Sequence, residues 1–321
     1  MIGRREFIAL IGGATAWPCV LASASEKVRR VGVLANEAWA PLEGLRQGLD
    51  ELGYVEGRNL QLEYRYAEGQ TEKFPALTAE LVGLPVEVIV TVGTPASLAA
   101  MRATKTIPII AQSGDPIASG LASSLAHPGG NLTGMSSQAT DVEGKRLQLV
   151  KELLPDLSRV GVLANPANPY TKFALENARR GADILGLKLE VVELSTADGV
   201  DGALQALSRL RPDGVLVIAD PFLLGERTRI AEFMTRNRLP SMFTFHEHVL
   251  AGGLMSYATN YRELFRRMAP VVDKVLKGAD PGDLPIEQPT QFELTLNLKT
   301  AHELGIKFPS SLLARADEVI E

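Results

Sequence analysis

The heptapeptide RVGVLAN occurs twice, at 30–36 and again at 159–165, 129 positions later. Apart from its two ends the segment has no polar side chain on either face. A strand of that kind belongs inside a parallel sheet covered by helices on both sides. A chain that begins such a strand twice can build two such sheets, provided that the segments after each copy also repeat.

They do repeat. The first copy leads to a helix-spaced stretch at 41–52, an alternating strand at 59–65, a helix at 74–84, a buried strand at 87–93, a helix opened by Thr94-Pro95 and a strand at 107–112. The second leads to a helix at 169–185, a strand at 187–194, a helix at 202–210, a strand at 215–219, a helix opened by Asp220-Pro221 and a strand at 241–245. Asn36 to Thr94 is 58 residues and Asn165 to Asp220 is 55, and this shared spacing argues more strongly than the heptapeptide alone. Two βαβαβ halves predict two doubly wound lobes of related topology. HPGGNLTGMSS (127–137) and GGLMSYATN (252–260) read as crossings between lobes, followed by a helix at 261–276, a Pro-rich segment at 279–289, a strand at 292–298 and a helical tail from Ser311.

The first residues carry a different message. Arg4-Arg5-Glu6-Phe7-Ile8, an apolar stretch at 7–22 and Ala22-Ser23-Ala24 have the layout of a twin-arginine-like export signal at 1–24, cleaved near Ala24. The stretch is shorter than the ~20 residues of a membrane helix, and Pro18 interrupts it. The expected location is the periplasm. Cys19 is the single cysteine and falls inside the signal. Lipid attachment there is disfavoured by Ala16-Trp17-Pro18 before it, and the mature chain would have no thiol for catalysis, metal binding or disulfides. A net charge of −5 with no basic run argues against nucleic acid and anionic membrane as partners.

Open α/β sheets bind ligands beyond the carboxyl ends of their strands. The candidates are therefore the residues just after each buried run: Asn36 with Trp39, Thr94, Ser113 with Asp115, Asn165 with Tyr170, Asp220 with Phe222, and Thr244 with Phe245. Asn, Asp, Ser and Thr are also the preferred helix caps, so Thr94 and Asp220 have a structural reading as good as the functional one. Asp115 before Pro116 is likewise a good turn former. Both halves present such residues at one edge, which predicts a shared cleft between facing lobes.

No G-x-S-x-G, GK[ST] or H-E-x-x-H motif is present, and neither repeated strand leads into G-x-G-x-x-G, so neither a nucleophile nor a dinucleotide or other cofactor is expected. The nearest approach to a metal cluster is His246-Glu247-His248. Positions i and i+2 do not share a helix face, so a surface turn or helix start is expected there.

SGDPIASGLASSLAHPGGNLTGMSS, NPANPY, GGLMSYATN and QPTQFELTLNLKTAHELGIKFP, in that order, resemble the ABC-transporter substrate-binding proteins of the tryptophan/tyrosine type, over the chain from Val28 to its end. The resemblance implies a type I periplasmic-binding-protein fold with two lobes joined by three crossings. The lobes would comprise 25–136 with about 259–290, and 137–258 with about 291–321. It further implies a monomer that binds a small ligand, in some members an aromatic amino acid, and passes it to a permease driven by an ATPase. By the same analogy Asn36, Thr94, Ser113 and Asp115 would line the first wall, and Asn165, Tyr170 and Asp220 the second, with Tyr257 near a crossing. Within that frame Thr94 and Ser113 would hold a carboxylate, and Asp115 or Asp220 an ammonium group. Trp39, Tyr170 or Tyr257 would flank the side chain. The rival expectations are an enzyme on a two-lobed α/β frame, such as a transferase or isomerase, and a sensor module. A transcription regulator would need a DNA-reading helix pair where the signal stands.

Overall fold

The computed structural model describes residues 27–137, 142–289 and 291–321. The segment read as an export signal, with Cys19, lies outside the described residues.

The first copy of the repeat is β1 (Arg29–Ala35), and its Val31, Val33 and Leu34 are fully buried. It is followed by α1 (Glu43–Glu51), β2 (Leu60–Tyr66), α2 (Phe74–Gly83), β3 (Val88–Val92), α3 (Thr94–Ala103), β4 (Ile109–Ser113) and β5 (Leu132–Ser136). All four strand pairings are parallel, in the order β2-β1-β3-β4-β5.

After α4 (Val142–Leu153) the pattern restarts with β6 (Arg159–Ala164), α5 (Pro169–Leu185), β7 (Lys188–Glu193), α6 (Val200–Arg209) and β8 (Gly214–Val217). Then come α7 (Pro221–Gly225), α8 (Arg227–Arg236), β9 (Ser241–Phe243), α9 (His246–Leu250) and β10 (Met255–Thr259). Within the second sheet the order β7-β6-β8-β9-β10 reproduces that of the first. The two copies of the heptapeptide thus hold the same central place in two equivalent sheets.

The chain then returns to the first sheet with α10 (Tyr261–Leu276), which packs along α1. It crosses again to add β11 (Phe292–Asn297), α11 (Leu298–Leu304), α12 (Ser310–Leu313) and β12 (Glu318–Ile320) to the second. There β11 runs antiparallel to β10, which makes this edge of the second sheet mixed.

Local chemistry explains several boundaries. The helix at 169–185 starts where Asn168 caps the Tyr170 N–H with Pro169 in the first turn, and stops at Gly186 in the left-handed conformation. Helix α10 contains Pro270, which has no N–H to offer the Arg266 carbonyl. Glycine lets α1 approach at that point: a Cβ on Gly48 would lie 2.5 Å from Arg266 O, and one on Gly44 only 2.1 Å from Arg262 O. The sequence pattern overlooks α4, α11 and β12, while α9 begins at the helix start read at His246-Glu247-His248. It also runs α7 and α8 together, whereas the chain breaks at Glu226 between them. Helix α4 carries a fully buried ion pair, Glu143 with Arg146 at 2.6 Å, and Arg146 Nε donates to the Tyr257 carbonyl of β10. Burial pushes the Glu143 carboxyl up despite the adjacent guanidinium. A helix whose inward face is charged lacks the clean apolar stripe that periodicity detects.

The crossings are tied to one another. Thr259 Oγ1 donates to Ser137 O at 2.7 Å, and Glu287 bridges to Met135, with Ser136 N donating to Glu287 O at 2.8 Å.

Candidate functional site

A cavity of about 50 Å³ lies where the carboxyl ends of β1, β3 and β4 face those of β8 and β9. It sits beside the reversal in strand order, the place at which doubly wound sheets open a crevice. From the first lobe Asn36, Glu37, Trp39, Gly93, Thr94, Gln112 and Gly114 line it, with Tyr261 from α10. From the second come Asn168, Tyr170, Asp220, Pro221, Leu224 and Phe245.

Two glycines set how closely the walls approach. Gly93 has φ +89°, and a Cβ there would stand 2.9 Å from the Pro221 ring. A Cβ on Gly114 would stand 2.5 Å from the Tyr170 ring. Both belong to the first lobe and both meet the second.

Each lobe brings a helix N-terminus to the cavity, and the two are treated differently. At α7 the Asp220 carboxylate accepts the N–H groups of Phe222 and Leu223, both at 2.9 Å. It also accepts the amides of Asn165 at 3.2 Å and Asn168 at 2.9 Å. Burial pushes Asp220 up, and these donors pull it back toward the ionised form. At α3 the cap position is Gly93 and no side chain caps the turn, which leaves the positive end of a ten-residue helix beside the cavity. Thr94 Oγ1 accepts weakly from Gly114 N at 3.4 Å.

The apolar wall is aromatic. Trp39 packs on Tyr261 at 4.7 Å, on Phe265 at 5.6 Å and edge-on to Phe245 at 5.8 Å. Tyr170 is buried opposite, and burial pushes its hydroxyl well above the usual phenol value.

Of the residues singled out in the sequence, Asn36, Trp39, Thr94, Tyr170, Asp220 and Phe245 meet at this cavity. Six do not line it: Ser113, Asp115, Asn165, Phe222, Thr244 and Tyr257. Ser113 ends β4 and is followed by the lining residue Gly114; since β4 runs one residue further than its apolar run, alternation brings Gln112 and Gly114 to the cavity instead. Asp115 Oδ1 accepts the Ala118 N–H, the turn role its sequence also fits. Asn165 supports Asp220 from behind and accepts Ala167 N at 3.0 Å. Tyr257 stacks on Phe292 at 5.4 Å, next to the antiparallel edge.

Gln112 donates to Ser137 Oγ and accepts the Gly93 N–H, so it braces the Gly93 turn. A polar residue inside an apolar strand, directly before a candidate, was the available signal for it. Tyr261 arrives from a helix distant in sequence, and nothing in its own segment marks it.

His246-Glu247-His248 opens α9, but it is not a surface turn throughout: His248 is fully buried between Phe243 and Phe245. Desolvation lowers its pKa from 6.5 to about 3. Among the described residues no group of three His, Cys, Asp or Glu could hold a metal ion. Nor is any helix there long and apolar enough to cross a membrane.

Two equivalent α/β lobes that close on a small cavity lined by opposed helix termini define a two-lobed solute-binding protein. The chain belongs to the ABC transporter substrate binding protein family, whose model matches residues 35–320. It is 25% identical over 288 residues to a tyrosine-binding protein of Clostridioides difficile (strain R20291), covering 88% of this chain and 83% of that one. A Streptococcus pneumoniae ABC domain solved in complex with L-Trp superposes with a TM-score of 0.86 at 26% identity, over 92% of this chain and all of that one. A Vibrio cholerae conserved domain protein superposes at 0.87 with 28% identity, over 91% of this chain and all of that one. The chain is accordingly a substrate-binding protein of the ABC transporter family.

Proposed function

We propose that the cleft binds an α-amino acid as its zwitterion, with an aromatic side chain preferred. The observation that carries this is the unequal treatment of the two helix termini. The bare N-terminus of α3, with the Thr94 hydroxyl, suits a carboxylate. Asp220, buried and held among the described residues by neutral donors, would gain a cationic partner when an ammonium group enters. Trp39, Tyr170, Phe245 and Tyr261 would enclose the side chain. The tyrosine-binding relative and the tryptophan-bound structure support the same ligand class.

In this reading the protein is exported with the segment at 1–24 removed and works in the periplasm as a monomer. It closes on the ligand about the three crossings and delivers it to a permease and its ATPase. The lobes divide into 25–136 with about 259–290 and 137–258 with about 291–321, in keeping with the strand membership of the two sheets.

Thermal-shift screening of the purified protein against the amino acids tests the ligand class, since a ligand of the folded state raises the melting point. Asp220→Asn keeps a good helix cap and removes the charge. It is expected to weaken binding of L-tyrosine or L-tryptophan by at least about tenfold, the scale of a lost charge-assisted hydrogen bond, and to lower the melting temperature, because the new Nδ2 faces the Asn168 amide donor. Unchanged affinity by calorimetry would refute the assignment of Asp220.

A further inference from the structure

The short loop after β1 reaches the second lobe with three side chains, each landing on a different helix. Asn36 Nδ2 donates to the Pro221 carbonyl of α7 at 3.0 Å. Glu37 accepts Arg227 Nη1, at the start of α8, at 2.8 Å. Trp39 Nε1 donates to Glu247 Oε1 of α9 at 2.8 Å. Neither Arg227 nor Glu247 lines the cavity.

We propose that Arg227 and Glu247 are positioning residues that latch the second lobe onto the 36–39 loop and so set how long a ligand is held. Glu247 fixes the Trp39 ring in the orientation that completes the aromatic wall, and its second oxygen is buried without a hydrogen-bond partner among the described residues. The indole N–H is therefore a principal compensation for bringing that carboxylate into the interface. Arg227 also donates to Leu224 O at 3.0 Å, which holds its guanidinium in place for Glu37. These contacts join opposite lobes, so they exist only when the lobes are together. Ligand affinity scales with the population of the competent form, and contacts specific to that form act chiefly on dissociation. The latch rests on the amino-acid reading only for its probe.

The main experiment is a chase of radiolabelled L-tyrosine from the full chain. Glu37→Arg and Arg227→Glu are each expected to speed release about five- to tenfold, with a smaller change in the association rate. The double variant E37R/R227E restores the opposite charges and should return release to within about threefold of wild type. Glu247→Ala should speed release about tenfold, while Glu247→Gln, which keeps an acceptor for the indole, stays near wild type. A double variant no slower than the faster single one, together with wild-type release from Glu247→Ala, overturns the proposal.

A second arm needs no ligand. In the full chain with Cys19→Ser, Glu37→Cys and Arg227→Cys are joined by a short bismaleimide. The rate of cross-linking is expected to fall several-fold when Glu247→Ala is added, and an unchanged rate overturns the latch. If the wild type binds no amino acid while this rate still falls, the ligand class fails and the latch stands.

Discussion

The two lobes start from the same seven residues and use their terminal asparagines for different ends. Asn36 reaches across the cleft to the Pro221 carbonyl and accepts the Gly69 N–H of its own lobe. Asn165 stays within its lobe and donates to Asp220. The divergence arises from the residue that stands at the end of the neighbouring strand. After β3 the first lobe places Gly93 and leaves its helix bare, whereas after β8 the second places Asp220 and caps its helix. One duplicated frame thereby acquires a positive pole in one lobe and a negative pole in the other. A symmetric pair of lobes would suit a ligand with like ends; this pair suits one with unlike ends.

Erasing the difference should have the largest effect. Gly93→Asp puts a carboxylate where the first lobe is bare, on a residue whose φ of +89° disfavours any side chain and whose Cβ would press on Pro221 at 2.9 Å. Amino-acid affinity is expected to fall by more than about a hundredfold, from charge reversal at the carboxylate pole together with obstructed closure. Calorimetric affinity within tenfold of wild type would break the view that the two poles divide the work.

A second contrast lies in acid stability. The first lobe's His127 sits in an exposed loop, while the second lobe buries His248. With a folded pKa of about 3 against an ordinary 6.5, the native state keeps His248 neutral and the unfolded chain takes up the proton. Stability from this group is complete above pH 6.5 and drains as the pH falls toward 3, by about 1.4 kcal/mol per pH unit. Urea melts at pH 7 and pH 5 should show the loss, and His248→Phe should flatten it across that interval. Equal pH dependence in the variant would remove His248 as the cause.

How much of this was legible in the sequence depends on where each signal resides. The doubled sheet was readable because buried parallel strands are written as local apolar runs, and the helix at 169–185 because Asn168, Pro169 and Gly186 punctuate it. Asn36, Trp39, Thr94, Tyr170 and Asp220 were readable as residues at strand ends. Ser113 was not separable from Gln112 and Gly114, since one residue of strand length exchanges faces. Nothing in the sequence marked Glu37 or Arg227, and Glu247 stood out only within His246-Glu247-His248, because a contact between lobes leaves no periodic trace. The Asn165 contact to Asp220 lies in the same blind spot: two residues 55 apart at equivalent strand ends look like two ligand contacts, whereas one supports the other.

That last distinction yields the smallest and most specific prediction. Asn165→Ala removes a donor from the buried Asp220 and leaves the Ala167 N–H without its acceptor. It should destabilise the protein by about 0.5–1.5 kcal/mol, the usual net worth of a hydrogen bond. Asn36→Ala removes one hydrogen bond across the cleft and one within a loop, so its effect belongs mainly to closure. It should weaken binding about three- to tenfold, the usual worth of a single hydrogen bond, while the melting temperature without ligand stays within about two degrees of wild type. Paired melts and titrations of the two variants decide the matter. Interchangeable phenotypes would mean that the two asparagines still do the same work, whereas stability loss in one and affinity loss in the other would show that identical sequence diverged through the residue each one faces.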